Sequence, residues 1–141
     1  MIQFYMKGSL QKLSDNFSVH EFDCPCSHPE CRLTLADSTG VSQLQAMRDK
    51  IKKRITIDRG GGMRCRFYQK ELFEKYKNVP GKTVERSTHE LGCAWDISVI
   101  GMNGSDLEKI ARECGFRAVG VAKTWIHVDV RDDAEREWVY K

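Results

Sequence analysis

Apolar positions along the chain fall into two periods. Val41, Leu44, Met47 and Ile51 recur at helical spacing, with Arg48, Lys50 and Lys52 between them, which predicts a helix over about 41 to 53. Asp37, Ser38 and Thr39 form a cap-like entry, and the basic residues at its far end suit the negative pole of a helix. Phe67, Leu72, Phe73 and Tyr76, interleaved with charge, predict a second amphipathic helix over 67 to 77, followed by a turn around Pro80 and Gly81. Ser105 to Glu108 reads as a capping box opening a third helix that stops at Gly115.

The second period is two. Trp125 to Val130 alternates polar and apolar residues as a half-buried strand does, with Val119 to Val121 as its partner, and 94 to 100 is also strand-like. Ile55 to Ile57 reads as a short strand broken by Gly60, Gly61 and Gly62, which can take backbone angles closed to other residues. Helices come early and strands late, so the expected class is α+β, a small and mainly antiparallel sheet flanked by about three helices.

Length and composition narrow this further. The 141 residues suit a single domain, and 40% apolar residues with only 3 prolines exclude a disordered or low-complexity chain. The net charge of +3 permits an anionic partner, but no basic stripe with interleaved aromatics points to nucleic acid. No run approaches the roughly 18 to 20 apolar residues that span a bilayer. Met1 to Leu13 lacks the features of a secretory leader, so synthesis and retention in the cytoplasm are expected. Oligomeric state leaves no mark in the sequence.

The chemistry concentrates in Ser87 to Asp96. A catalytic zinc takes three nitrogen or oxygen ligands and keeps one position open for water. His89 and Asp96 supply two if the chain turns at Gly92 and continues as a strand, and His127 would be the third. His127 and Asp129, two apart on a strand, share one face with Arg131, a poor surface for a core and a good one for a site.

The pattern His-x-x-Gly-x-Ala-x-Asp, followed some thirty residues later by His-x-Asp, resembles the zinc peptidases of the D-alanyl-D-alanine carboxypeptidase class. That group includes vancomycin-resistance D,D-dipeptidases and phage L-alanyl-D-glutamate endolysins, and its zinc fold is shared by hedgehog signalling domains. Phe17 to Phe22, the Gly62 to Cys65 corner, Ser87 to His89 and the ending Gly120 to Arg131 look like the small phage and prophage branch, so the likeness covers about residues 13 to 131. It implies a zinc-dependent peptidase acting on the peptide stems of bacterial peptidoglycan, in D,D-carboxypeptidase or L,D-endopeptidase mode, with zinc held by His89, Asp96 and His127. In a phage lysin of this kind the protein waits in the cytoplasm until the membrane is opened.

By the same resemblance Arg64 faces the substrate and the oxygen that becomes negative, where a fixed guanidinium stabilises charge developing in the transition state. Ser87 matches a serine lining the substrate site; its residue type equally suits a turn bonded to local backbone. Two departures stand out. Thr124 occupies the place where many relatives carry an acidic general base, and Ala122 stands where this branch often has tyrosine. Asp129 then has two readings, a substitute base or a group that orients the ligand His127. The loss of the acid also leaves open a module of the same fold that binds zinc, peptidoglycan or a partner without catalysis.

A cysteine cluster spans 24 to 31. Cys24, Cys26, His28 and Cys31 offer three sulfurs and one imidazole, the complement of a closed structural zinc site. Free thiols, or a disulfide using Cys65 or Cys93, remain open. Cys93 reads as a packing residue that alternates away from Asp96, and Cys114 as a core cysteine.

Overall fold

The computed structural model describes residues 1 to 131 and 135 to 140. Among these, nine strands and three α-helices form an α+β fold. The strands are β1 (Ile2–Met6), β2 (Lys12–Ser14), β3 (Phe17–Ser18), β4 (Leu33–Asp37), β5 (Thr56–Ile57), β6 (Ala94–Ser98), β7 (Ala118–Val121), β8 (Ile126–Asp129) and β9 (Arg136–Val139). The helices are α1 (Ser38–Ile51), α2 (Arg66–Tyr76) and α3 (Gly104–Glu113). Two 3-10 turns, Val19–Phe22 and Thr88–Leu91, complete the order.

The main sheet runs β5-β6-β8-β7-β9, antiparallel except for the last pair, which is parallel. Its two faces follow from alternation. Trp95 and Ile97 on β6, and Ile126 and Val128 on β8, point into the main core with Val41, Leu44 and Met47 of α1 and Leu107 and Ala111 of α3. Asp96, His127 and Asp129 lie on the opposite face, and the register sets Asp96 directly against His127. β8 is buried along its whole length and not half-buried as its alternation predicts. Its polar residues are enclosed by the site they form.

Asp37 caps α1, its Oδ1 accepting from the Gly40 amide at 3.0 Å, and Lys52 in the left-handed conformation ends it. Gly40 is required by packing, since a Cβ there would lie 2.0 Å from the Trp95 ring. At α3 the expected capping box at Ser105 does not form. Asn103 caps instead, accepting from the Asp106 amide at 2.9 Å, and Glu108 turns to Arg112 at 3.2 Å. The expected elements sit within a few residues of their predicted places. The β1–β4 pair and β9 lie outside those expectations. Among the described residues no helix is long and apolar enough to cross a membrane.

Candidate metal centre

Four segments converge on the open face of the sheet. β6 contributes Asp96, β8 contributes His127, the turn after Ser87 contributes His89, and the glycine run contributes backbone. The Ser87 hydroxyl accepts from the His89 amide at 3.2 Å and the Ser87 amide donates to Glu90 at 2.9 Å, so a reciprocal cap fixes the turn that carries His89. Gly92, at φ +69°, ends that turn in a conformation other residues resist. Gly61 and Gly62 let the chain press close. A Cβ on Gly61 would sit 2.7 Å from that of Asp96, and one on Gly62 would sit 2.6 Å from the Phe22 carbonyl.

Asp96 Oδ1 lies 3.4 Å from His89 Nε2 and 3.0 Å from His127 Nδ1. Three ligands at about 2.0–2.2 Å from a tetrahedral zinc stand about 3.3 Å apart, so the spacing fits one small ion. The hydrogen bonds decide what lies between them. His89 Nδ1 is 2.8 Å from the Gly62 carbonyl, which only accepts, so Nδ1 carries the proton. Burial pushes His89 below the ordinary imidazole range, leaving it neutral with its Nε2 lone pair aimed at a carboxylate oxygen. Two acceptors facing each other in a buried site, with His127 beside them, could hold a cation between them.

No family model, curated protein or solved structure matches this chain.

His127 completes the set. Its Nδ1 faces Asp96 and its Nε2 lies 2.8 Å from Asp129 Oδ2. Burial alone would lower its pKa, but the hydrogen bonds to Asp129 and Asp96 outweigh it and raise it. Without an ion the ring therefore bridges two carboxylates as an imidazolium. Were an ion held at Nδ1, it would take the place of one proton there and His127 would keep Nε2–H on Asp129, the arrangement that fixes ring orientation in metal sites. Asp96 is held well below the usual carboxylate range, its own burial being outweighed by the hydrogen bond from His127 and by the His89 ring set against it.

These ligands form the floor of a cleft of about 760 Å³, whose walls include Arg64, Ser87, Arg131, Glu135, Trp138 and Tyr140. Arg64 donates from Nε to the Gly60 carbonyl at 2.7 Å, from one terminal nitrogen to Gln69 at 3.2 Å and from the other to Asp96 Oδ2 at 3.2 Å. Three of its five N–H groups thereby lock the guanidinium, which lines the cleft. Ser87 has both of its expected placements, capping the turn and lining the cleft.

Two expectations change. Asp129 is 1% exposed, does not line the cleft and is engaged by His127 on one side and by the Arg131 guanidinium on the other. That geometry sets Asp129 behind His127, in contact with its ring and not among the residues lining the cleft. Its carboxyl is held down at about 2, its own burial being outweighed by hydrogen bonds from His127 and Arg131. His28 does not join the cysteines. Its ring stacks on Phe67 at 3.6 Å and its Nδ1 accepts from the Glu30 amide at 3.2 Å, while Cys65 brings a fourth sulfur to Cys24, Cys26 and Cys31. All six cysteines are free thiols, so none of the open disulfide pairings is present. Cys93 is buried as expected and Cys114 is half-buried against the main core.

Trp138 and Tyr140 carried no expectation, since the recognised pattern stops at Arg131. Trp138 packs on His127 with ring centroids 5.2 Å apart and lies under the Arg131 guanidinium at 5.3 Å. Gly120 makes room for it, because a Cβ there would meet the indole at 2.3 Å. The run Trp138-Val139-Tyr140, aromatic and β-branched residues that favour strands, is the trace of this strand in the sequence.

Proposed function

We propose that this protein is a zinc-dependent peptidase that hydrolyses the peptide stems of bacterial peptidoglycan. The observation that supports it most is the lone pair of neutral His89 facing Asp96, with His127 beside them, on the floor of an open cleft. Zinc bound there supplies Lewis acidity and a water of lowered pKa. The chain's own residues do the rest. His127 is oriented by Asp129 and boxed by Trp138, so its Nδ1 is pre-set toward the ion. Arg64, locked in the cleft wall, would stabilise the scissile carbonyl oxygen as it becomes negative, or bind a carboxylate of the stem. Lys82, Arg86 and Arg136 add positive charge to the walls, which suits anionic stems.

The base must come from the cleft. Among the described residues the carboxylates lining it are Asp96, read here as a ligand, Glu137, which stands 3.8 Å from Arg112, and Glu135, to which we assign uptake of the proton. Thr124 stands exposed in the turn between β7 and β8 and away from the cleft. That placement, together with the burial of Asp129, favours one second reading, a zinc-holding module that binds peptidoglycan without cutting it.

Incubation of the zinc-loaded protein with purified peptidoglycan, followed by mass spectrometry of new amino and carboxyl termini, separates the two. New termini that vanish with His89→Ala support the peptidase. An intact sacculus at high protein concentration, with the protein bound to it, supports the module.

A further inference from the structure

The second cluster lies apart from the cleft. Sulfurs of Cys24, Cys26, Cys31 and Cys65 all fall within 4.8 Å of one another. Four thiolates at about 2.3 Å from a tetrahedral zinc stand about 3.8 Å apart, so the four are near that arrangement. Cys26 and Cys65 come to 3.4 Å, well beyond the roughly 2.05 Å of a disulfide.

The surroundings are built for negative sulfur. The Cys65 amide points at Cys24 Sγ at 3.3 Å and the Tyr68 amide at Cys65 Sγ at 3.4 Å. Lys7, anchored on the Cys26 carbonyl at 2.8 Å, holds its ammonium 3.5 Å from Cys31 Sγ and 3.9 Å from Cys26 Sγ. Neutral thiols gain little from such donors. A tetrathiolate around a divalent ion carries a net charge of about −2, and amide and ammonium groups stabilise it. Met63, Leu35 and Tyr68 shield the cluster with apolar surface.

We propose that Cys24, Cys26, Cys31 and Cys65 form a closed tetrathiolate site for a structural zinc ion, separate from the ion held by His89, Asp96 and His127. With four protein ligands no position remains for water, so the site carries no chemistry. Its effect is mechanical. Residues 24 to 32 contain no helix or strand, and three of the sulfurs come from this segment. The fourth is the N-cap of α2 and directly follows Arg64. The ion therefore ties an otherwise irregular loop to the residue beside the cleft arginine. This inference stands whether or not the cleft hydrolyses anything.

Cobalt(II) reports the ligands directly, because thiolate sulfur gives intense charge-transfer absorption that imidazole and carboxylate do not. The metal-stripped, reduced full chain carrying His89→Ala and His127→Ala is titrated with cobalt, and its cysteines are counted with a thiol reagent before and after chelation. The expected result is one cobalt per chain with charge-transfer absorption, four cysteines protected until the chelator is added, and loss of the band in Cys26→Ser with Cys31→Ser. The same titration of the unmutated chain reads the band without relying on any variant to fold. No charge-transfer absorption in either protein, or equal reactivity of the four cysteines with and without cobalt, overturns the site.

Discussion

Replacing Asp129 by asparagine keeps the shape of a fully enclosed side chain and removes its charge. Asp129 accepts from His127 Nε2 at 2.8 Å and from Arg131 Nε at 2.8 Å, so the substitution weakens the hold on a ligand without touching the ion. Loss of such an outer partner lowers metal affinity by about 10- to 100-fold, or about 1.4–2.7 kcal/mol. The metal-free protein gives an independent reading. The folded carboxyl titrates at about 2, against about 3.9 in an unfolded chain. The unfolded state therefore binds the proton first as pH falls. The ionised group contributes about 2–3 kcal/mol above pH ~4, and this contribution disappears as pH drops through about 2. Zinc competition against a chromophoric chelator near neutral pH, with thermal melts of the stripped protein on either side of that window, measures both. Asp129→Asn should bind zinc about 10- to 100-fold more weakly and show a flatter loss of stability in acid. Turnover abolished with zinc affinity unchanged would refute the positioning role and return Asp129 to the role of base.

Arg64→Lys should leave zinc content at the His89 site intact while kcat/KM on stem peptides falls about 100- to 1000-fold, because an ammonium cannot reproduce the locked guanidinium; steady-state kinetics with metal analysis checks this. Glu135→Gln should abolish turnover with zinc affinity unchanged, the opposite split from Asp129→Asn, and activity near that of the unmutated chain would remove Glu135 from the reaction. Gly40→Ala drives a methyl to 2.0 Å from the buried Trp95 ring and should cost about 3 kcal/mol, seen as a Tm lower by on the order of 10 °C in calorimetry.

Much of this molecule is legible in local pattern. The 3.6 and 2 periods locate α1, α2, β6 and β8, and the two-residue step from His127 to Asp129 by itself places both on one face. What local pattern does not carry is pairing across the chain. The register of Asp96 against His127 decides that they meet, and only the fold supplies it. Cys65 is read as a disulfide candidate because it lies 34 residues from Cys31 in the chain, although the two come together in space. His28 misleads for the converse reason: it is near the cysteines in sequence, but its ring is better satisfied stacked on Phe67. Asp129 shows a third limit. Alternation places it on the site face, yet whether it looks into the cleft or behind His127 depends on Arg131 and on burial, which no spacing encodes.

Anomalous diffraction at the zinc edge, from crystals of the zinc-loaded protein, tests the centre itself. A single peak within about 2.2 Å of His89 Nε2, Asp96 Oδ1 and His127 Nδ1, with its remaining side open to the cleft, is the predicted result. Density showing no ion there, with His127 still bridging Asp96 and Asp129 at full zinc load, would contradict it.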